Sequence, residues 1–457
     1  MANQSKTGFV TLVCFVAAVG GFLFGYDLVI ISGAEIQLKS YFSLDKTAYG
    51  QAVSSAILGC IVGPFLGVFL CDRIGRKKTL ILAAVLFGVS AIGTAIPKDI
   101  TTFNIFRIIG GVGVGLASLA SPMYITEIAP RDRRGGLGIL YQLAIVIGCT
   151  TSVIVAFFLS KYIPDDVNWR WMFASEVVPI AIFVILLMMV PPSPRWLAEK
   201  GRNEEALAVM IKVGEPEEAK RELAEIIESM KQETGSFSEL FWPGMRMALL
   251  VGILLALFNN WTGWSGIAYY LPDLFKMAGA EKVSDALYQT LIINAINIGL
   301  TILAIILVDR IGRKPLWVVT AFVMIFSLLF AGFVFHKEIQ GNLVLLAIFM
   351  CAWPHAIGLG PLPWLMMSEI YPTRIRARAV AITTTFLWIA GYTGARYFPD
   401  IASWSTENYG SVVAVFVIYA IICIAALIFG IFMLPETKNK SLEAISRLWL
   451  KKKDHQA

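Results

Sequence analysis

Two opposite charges stand where only apolar residues are expected. Asp27 interrupts the apolar run 20–31, and Arg107 sits near the start of a later apolar stretch, just ahead of Gly110 and Gly111. A lone charge at a bilayer centre costs roughly 3 kcal/mol on insertion scales and about 10 or more in simulations of isolated helices, so such residues persist when paired or lining a wet cavity. Other ionisable residues in the apolar segments of this half are scarce, which makes Asp27 and Arg107 natural partners. Burial and a neighbouring guanidinium act in opposite senses on a carboxyl's proton affinity. Moving Arg107 towards or away from Asp27 would therefore change whether Asp27 holds a proton, the chemistry of a proton carrier. A static buried ion pair is the alternative.

The elements that must position this pair are long and apolar. Runs such as 9–31, 51–70, 172–190 and 411–434 approach or exceed the length of about 20 helical residues that crosses a hydrocarbon core. About twelve such segments are predicted, six on each side of a polar stretch, 195–239. They lack the period-two alternation of a membrane barrel, and helices are the remaining way to satisfy the backbone in lipid. The expected fold is an all-α polytopic membrane protein. At 57% hydrophobic, 15% charged and mean hydropathy +0.71 over 457 residues, a soluble globule is excluded.

Basic residues collect in the loops after even-numbered spans, as at Arg73, Arg76, Lys77, Lys78 and again at Arg310, Arg313, Lys314. The positive-inside rule then places both termini in the cytoplasm of a multi-pass cell-membrane protein. This bias accounts for the net charge of +6 without any nucleic-acid partner. The first span lacks the short core and cleavage site of a signal peptide and reads as a retained helix. Short tails point to a bacterial inner membrane, and a monomer is expected.

Six cysteines lie in or at the edge of predicted spans without metal-ligand spacing, and read as small packing residues. The histidines form no cluster, and the sequon Asn260-Trp261-Thr262 falls inside the seventh span, where no glycan can be added. No metal, cofactor or catalytic residue is expected. No motif pairs a nucleophile with a base, so enzyme activity has no support.

The chain also repeats itself. Asp72-Arg73-Ile74-Gly75-Arg76-Lys77 returns letter for letter 237 residues later as Asp309-Arg310-Ile311-Gly312-Arg313-Lys314. Glu127 precedes Arg134 by seven residues, and Glu369 precedes Arg376 by the same spacing. Duplicated halves of membrane helices are an architecture of transporters. Arg76, Glu127, Arg134, Arg313, Glu369 and Arg376 are read as a cytoplasmic gate, a charge network between two bundles that biases an inward–outward equilibrium. Mere topology anchoring is the alternative.

These turns and Glu/Arg pairs, together with Pro192-Ser193-Pro194-Arg195 and Pro435-Glu436-Thr437-Lys438, resemble the signature set of the sugar porter family of the major facilitator superfamily. The first half is similar to bacterial xylose–proton symporters, in Gly25-Tyr26-Asp27, Arg107-Ile108-Ile109-Gly110-Gly111 and Ser121-Pro122-Met123-Tyr124. The resemblance implies a major facilitator fold of two six-helix bundles, 1–192 and 244–436. A cytoplasmic linker with short amphipathic helices (193–243) would join them, ahead of a tail, 437–457. It also implies that Asp27 and Arg107 couple protons to transport. One departure is Pro192, where the family usually has Glu, which removes a carboxylate from the implied gate.

The same resemblance assigns solute contacts to Phe24, Gln142, Asn259, Asn260, Ser265, Tyr269, Asn297, Trp364 and Trp388. A neutral polyhydroxyl solute needs amides and hydroxyls plus an aromatic plane. Here the family's two glutamines of the seventh span are shortened to Asn259 and Asn260, and its internal Asn is Ser265. Two further glutamines are Leu387 and Cys149. Each lost hydrogen bond to a buried hydroxyl is worth about 1–3 kcal/mol, enough to change the preferred solute.

His355 and Trp264 are further residues that would contact the solute or titrate, a histidine bonded to a backbone carbonyl being the plainer reading. Arg396 would attract an acidic sugar or pair with Asp400. The expected function is proton-coupled symport of a small neutral sugar or polyol by alternating access. The rivals are an uncoupled facilitator, a sugar-acid carrier and a transporter-like nutrient sensor.

Overall fold

The structure, a computed structural model, describes residues 2–129, 134–213, 215–231, 237–280, 282–371, 375–438 and 449; of Arg134 the backbone alone is described. Among them every regular element is helical. Among the described residues, eleven helices are long and apolar enough to cross a membrane. In the first half they are Gly8–Gly33, Lys46–Ile74, Arg76–Ala95, Ile100–Ile128, Leu140–Tyr162 and Asn168–Met189, spans one to six. In the second half they are Pro243–Tyr269, Ser284–Val308, Arg313–His336, Asn342–Met367 and Val413–Phe432. These are spans seven to ten and span twelve. The eleventh span is Arg376–Tyr409, less apolar because it carries Arg396, Asp400 and Glu407.

Local chemistry explains where spans begin. The repeated Ile-Gly ends span two at Gly75 (φ 88°) and span eight at Gly312 (φ 104°), a left-handed conformation that glycine alone adopts without penalty. Asp45 and Asp99 cap spans two and four by accepting from the amides of Ala48 (2.6 Å) and Thr102 (2.8 Å). Among the described residues between the halves lie three short α-helices, Pro194–Glu199, Asn203–Val213 and Pro216–Lys231, and a 3-10 turn, Phe237–Phe241. Ala206, Val209 and Met210 of the second are buried, the face that their spacing predicts.

Small residues draw the first-half spans together. A Cβ on Gly111 would lie 1.8 Å from the Ala56 carbonyl oxygen, and one on Gly59 would lie 2.1 Å from that of Ile108. Spans two and four therefore touch backbone to backbone, the packing that membrane helices use without a hydrophobic driving force. Gly25 meets the Ile145 carbonyl of span five in the same way. This compaction sets Arg107 and Asp27 face to face.

Two spans of the second half are broken. Span seven is interrupted after Trp261 at Gly263 (φ 103°) and resumes over Trp264–Tyr269. Span ten runs from Asn342 to Pro354, turns through a π-helix at His355–Leu359, and resumes at Pro361. Irregular backbone at membrane depth is tolerated where it is buried in protein or lines a cavity. Contacts between the halves gather from the middle of the bundle to the face opposite the linker. They include Phe24 with Trp388 (5.3 Å between ring centres), Tyr49 with Tyr270 (6.1 Å), and the Thr47 hydroxyl donating to Asp400 (2.6 Å).

Candidate functional site

Asp27 and Arg107 form the expected pair. The Arg107 Nη1 donates to Asp27 Oδ1 at 2.7 Å and to its backbone carbonyl at 3.0 Å. Arg107 is 0% and Asp27 1% exposed. The guanidinium also lies over the Phe173 ring, 5.7 Å from its centre. Asp27 Oδ2, Arg107 Nε and Arg107 Nη2 have no hydrogen-bond partner among the described residues. The pair is buried and only partly satisfied.

A third ionisable group completes the cluster, and sequence reasoning missed it. Glu176 is 1% exposed and sits where span six is broken between Asn168–Ala174 and Val177–Met189. Its carboxyl faces that of Asp27 and feels the charge of Arg107. Both are acceptors, so neither carboxyl finds a donor in the other unless a proton sits between them. The signal was available. Glu176 interrupts the apolar run 172–190 just as Asp27 interrupts 20–31.

Of the proposed solute contacts, Asn259, Asn260, Ser265, Tyr269 and Trp364 lie on the two broken spans, and the polar groups of the set are unevenly committed. The Asn259 amide donates to the carbonyls of Leu359 (3.1 Å) and Gly360 (2.9 Å), holding the π-helix turn. The Asn260 amide donates to the Leu387 carbonyl at 3.0 Å. The shortened side chains thus spend their donors on backbone, leaving Oδ1 of each for other use. By contrast, Asn297 Oδ1 and the Trp388 indole N–H are buried without partners among the described residues. Tyr269 lies within electrostatic reach of Asp27, Arg107 and Cys149, linking the second half to the charged cluster. Gln142, Ser265 and Trp364 are half-buried.

His355 differs from its plainer reading. Its Nδ1 is buried and bonds no carbonyl among the described residues. The ring instead lies 6.3 Å from that of Trp264. The π-helix accounts for this, because it widens the turn and rotates the side chain off the regular helical ladder. Arg396 donates to Asp400 at 2.8 Å, the pairing expected for it.

Among the described residues, Arg76–Glu127 and Arg313–Glu369 form two copies of one motif, each pair within its own half. Arg76 binds Glu127 (Nη2 at 2.7 Å) and donates to the Cys71 carbonyl (3.1 Å). Arg313 binds Glu369 (3.0 Å) and donates to the Val308 carbonyl (3.3 Å). The local backbone sets this pairing. Each arginine opens a span immediately after the positive-φ glycine, which turns it back towards the end of the fourth span of its own half. Glu369 is therefore held by Arg313 and the Thr437 hydroxyl (2.6 Å), while Arg376 donates to the Tyr371 carbonyl. The Arg134 side chain lies outside the described residues, as does nearly all of the tail.

Five of the six cysteines are buried and Cys149 is half-buried. No group of three metal-ligating side chains occurs among the described residues.

Residues 13–449 match the family described as "Sugar (and other) transporter". The chain is 40% identical to the arabinose–proton symporter of Bacillus subtilis, over 99% of this chain and 97% of the relative. It is 35% identical to the D-xylose–proton symporter of Escherichia coli K12, over 98% and 97% respectively. The solved structure of the proton:xylose symporter XylE bound to 6-bromo-6-deoxy-D-glucose superposes with a TM-score of 0.86, at 35% identity, covering 97% of this chain and all of that one. The inward-open structure of the E. coli xylose transporter XylE gives 0.83 at 33% identity, covering 96% and 100%.

Proposed function

Since this chain belongs to the sugar transporter family, we propose that it carries a sugar or sugar-like polyol together with protons across the cell membrane by alternating access. The carrying observation is the buried cluster of Asp27, Arg107 and Glu176. A carboxyl sealed from water beside a guanidinium with two uncommitted N–H groups can exchange a salt bridge for a proton when the helices shift. Relatives named as symporters of arabinose, xylose and galactose with protons support the same reading.

The two halves, 1–192 and 244–436, rock about the central cavity, with both termini and the linker 193–243 on the cytoplasmic side and the monomer as the working unit. Basic residues on the linker face support that orientation. Phe24, Gln142, Ser265, Tyr269, Asn297, Trp364 and Trp388 face the solute. Asn259 and Asn260 offer it their Oδ1 atoms, and His355 and Trp264 border the cavity. The Arg76–Glu127 and Arg313–Glu369 pairs stiffen each half at the gate, so that the halves move as units. Because Arg396 is held by Asp400, a sugar acid gains no support from it.

A panel of pentoses, hexoses, polyols and uronates is tested for binding to the purified protein, followed by uptake of the tightest ligand into proteoliposomes. Accumulation that follows an imposed pH gradient is expected. Uptake indifferent to the gradient would overturn the symport reading.

A further inference from the structure

A further buried carboxyl, outside the coupling cluster, lies at the seam between the halves. Glu35, on the short helix Glu35–Tyr41 that follows span one, is 2% exposed. It lines a small cavity with Lys39 and Tyr49 of the first half and with Tyr270, Asp273 and Phe398 of the second. Lys39 Nζ donates to its Oε1 at 2.5 Å, while its Oε2 has no partner among the described residues. The cavity lies on the face opposite the linker, where Tyr49 meets Tyr270 edge-on and Thr47 reaches Asp400. The second half thus forms part of the wall that seals Glu35 from solvent.

We propose that Glu35 is a second proton-binding site, and that a proton bound there favours closure of the outer face. The physical cause is a conflict built into closure. Bringing the halves together desolvates Glu35 and sets it near the carboxylate of Asp273 across the seam. Lys39 on the same helix and Lys276 beside Asp273 offset part of this. Lys46 in the cavity wall and the Tyr49 and Tyr270 hydroxyls are the other ionisable groups around it among the described residues, with Arg396 and Asp400 already paired.

Burial, then the charge of Asp273, push the Glu35 carboxyl up from its ordinary 4.5 to about 7 in this closed arrangement. Parting the halves returns it towards the ordinary value. The closed form therefore binds the proton more tightly than the open one, and acid favours closure. The gain is complete below the open-form value and is lost as pH rises through about 7. Each unit of difference is tenfold in the closed-to-open ratio, so the full span from 4.5 to about 7 is roughly three-hundredfold. In a symporter driven by an acidic exterior, protons on that side would commit the loaded carrier to face inwards.

The site rests on the alternating-access reading, but its test needs neither sugar nor a gradient. Spin labels on Lys98→Cys and Lys337→Cys, exposed positions on the outer face of either half, report the distance between halves by double electron–electron resonance from pH 5 to 8.5. The short-distance fraction is expected to rise as pH falls through about 7. Glu35→Gln should hold the low-pH distribution throughout, and Asp273→Asn should move the midpoint to lower pH. If Glu35→Gln misfolds, the Asp273→Asn midpoint decides. A pH response identical in wild type and Glu35→Gln, or an unmoved midpoint in Asp273→Asn, overturns the proposal. Loss of sugar uptake with this pH response intact would tell against the solute reading alone.

Discussion

Pro192 holds in the first half the place that Glu436 holds 244 residues later in the second. Their neighbours match: Ser193 donates to Glu127 at 2.5 Å, and Thr437 donates to Glu369 at 2.6 Å. Glu436 accepts from the backbone amides of Arg313 (3.1 Å) and Lys314 (3.0 Å), capping the start of span nine. Pro192 has no carboxylate to offer span three. There the Lys77 ammonium reaches back to the Val190 carbonyl at 2.8 Å instead.

Pro192→Glu should therefore restore a cap and stabilise the protein by about 0.5–1 kcal/mol, the usual worth of a carboxylate at a helix N-terminus. Thermal unfolding in detergent would show a raised midpoint. An unchanged or lowered midpoint would mean that the turn cannot bring the new carboxylate to the amides.

The pH dependence of that cap has a definite sign. Partial burial works to raise the Glu436 carboxyl, but the amides of Lys438, Arg313 and Lys314 hold it below its ordinary 4.5. A depressed native value contributes stability above the unfolded value and loses it as pH falls through the native one. The gap between wild type and Glu436→Gln should be widest at neutral pH and shrink as pH falls below the ordinary 4.5, as read from melting midpoints.

The two gate pairs differ in burial, and so should the cost of breaking them. The Arg76 and Glu127 side chains are 3% and 9% exposed, against 12% and 21% for Arg313 and Glu369. Arg76→Ala strands a buried carboxylate and should cost about 3–5 kcal/mol. Arg313→Ala should cost less. Equal losses in unfolding experiments would contradict the burial argument.

Asp27→Asn keeps the shape of the coupling cluster and removes its proton. Uphill accumulation driven by a pH gradient should vanish while sugar counterflow continues. Accumulation at wild-type level in that variant would remove Asp27 from the coupling role.

Trp388→Phe separates recognition from folding. The indole N–H has no partner among the described residues, so its loss breaks no hydrogen bond within them. Solute affinity should fall by about 1–3 kcal/mol if that N–H meets a hydroxyl in the complex. A destabilised protein with unchanged affinity would assign the ring to packing.

Much of this was legible in one dimension. Apolar length marked the spans, and the repeated turn marked the duplication. Asp27 and Arg107 announced each other, because charges in oil are costly enough to demand a partner. Glu176 obeys the same rule and was overlooked, although it interrupts its apolar run as plainly. The breaks at Gly263 and His355–Leu359 were not legible, because a glycine or proline in a span is equally at home in an unbroken helix.

Composition and periodicity determined that this chain crosses the membrane many times as duplicated helices, since lipid leaves the backbone few other choices. Only the tertiary structure decided which partner each polar side chain took. It gave the donors of Asn259 and Asn260 to backbone and turned Arg76 and Arg313 inwards within their own halves. It also sealed Glu35 against Asp273. Those outcomes depend on distances between residues 51 or more positions apart, and helix packing sets such distances where local sequence pattern does not.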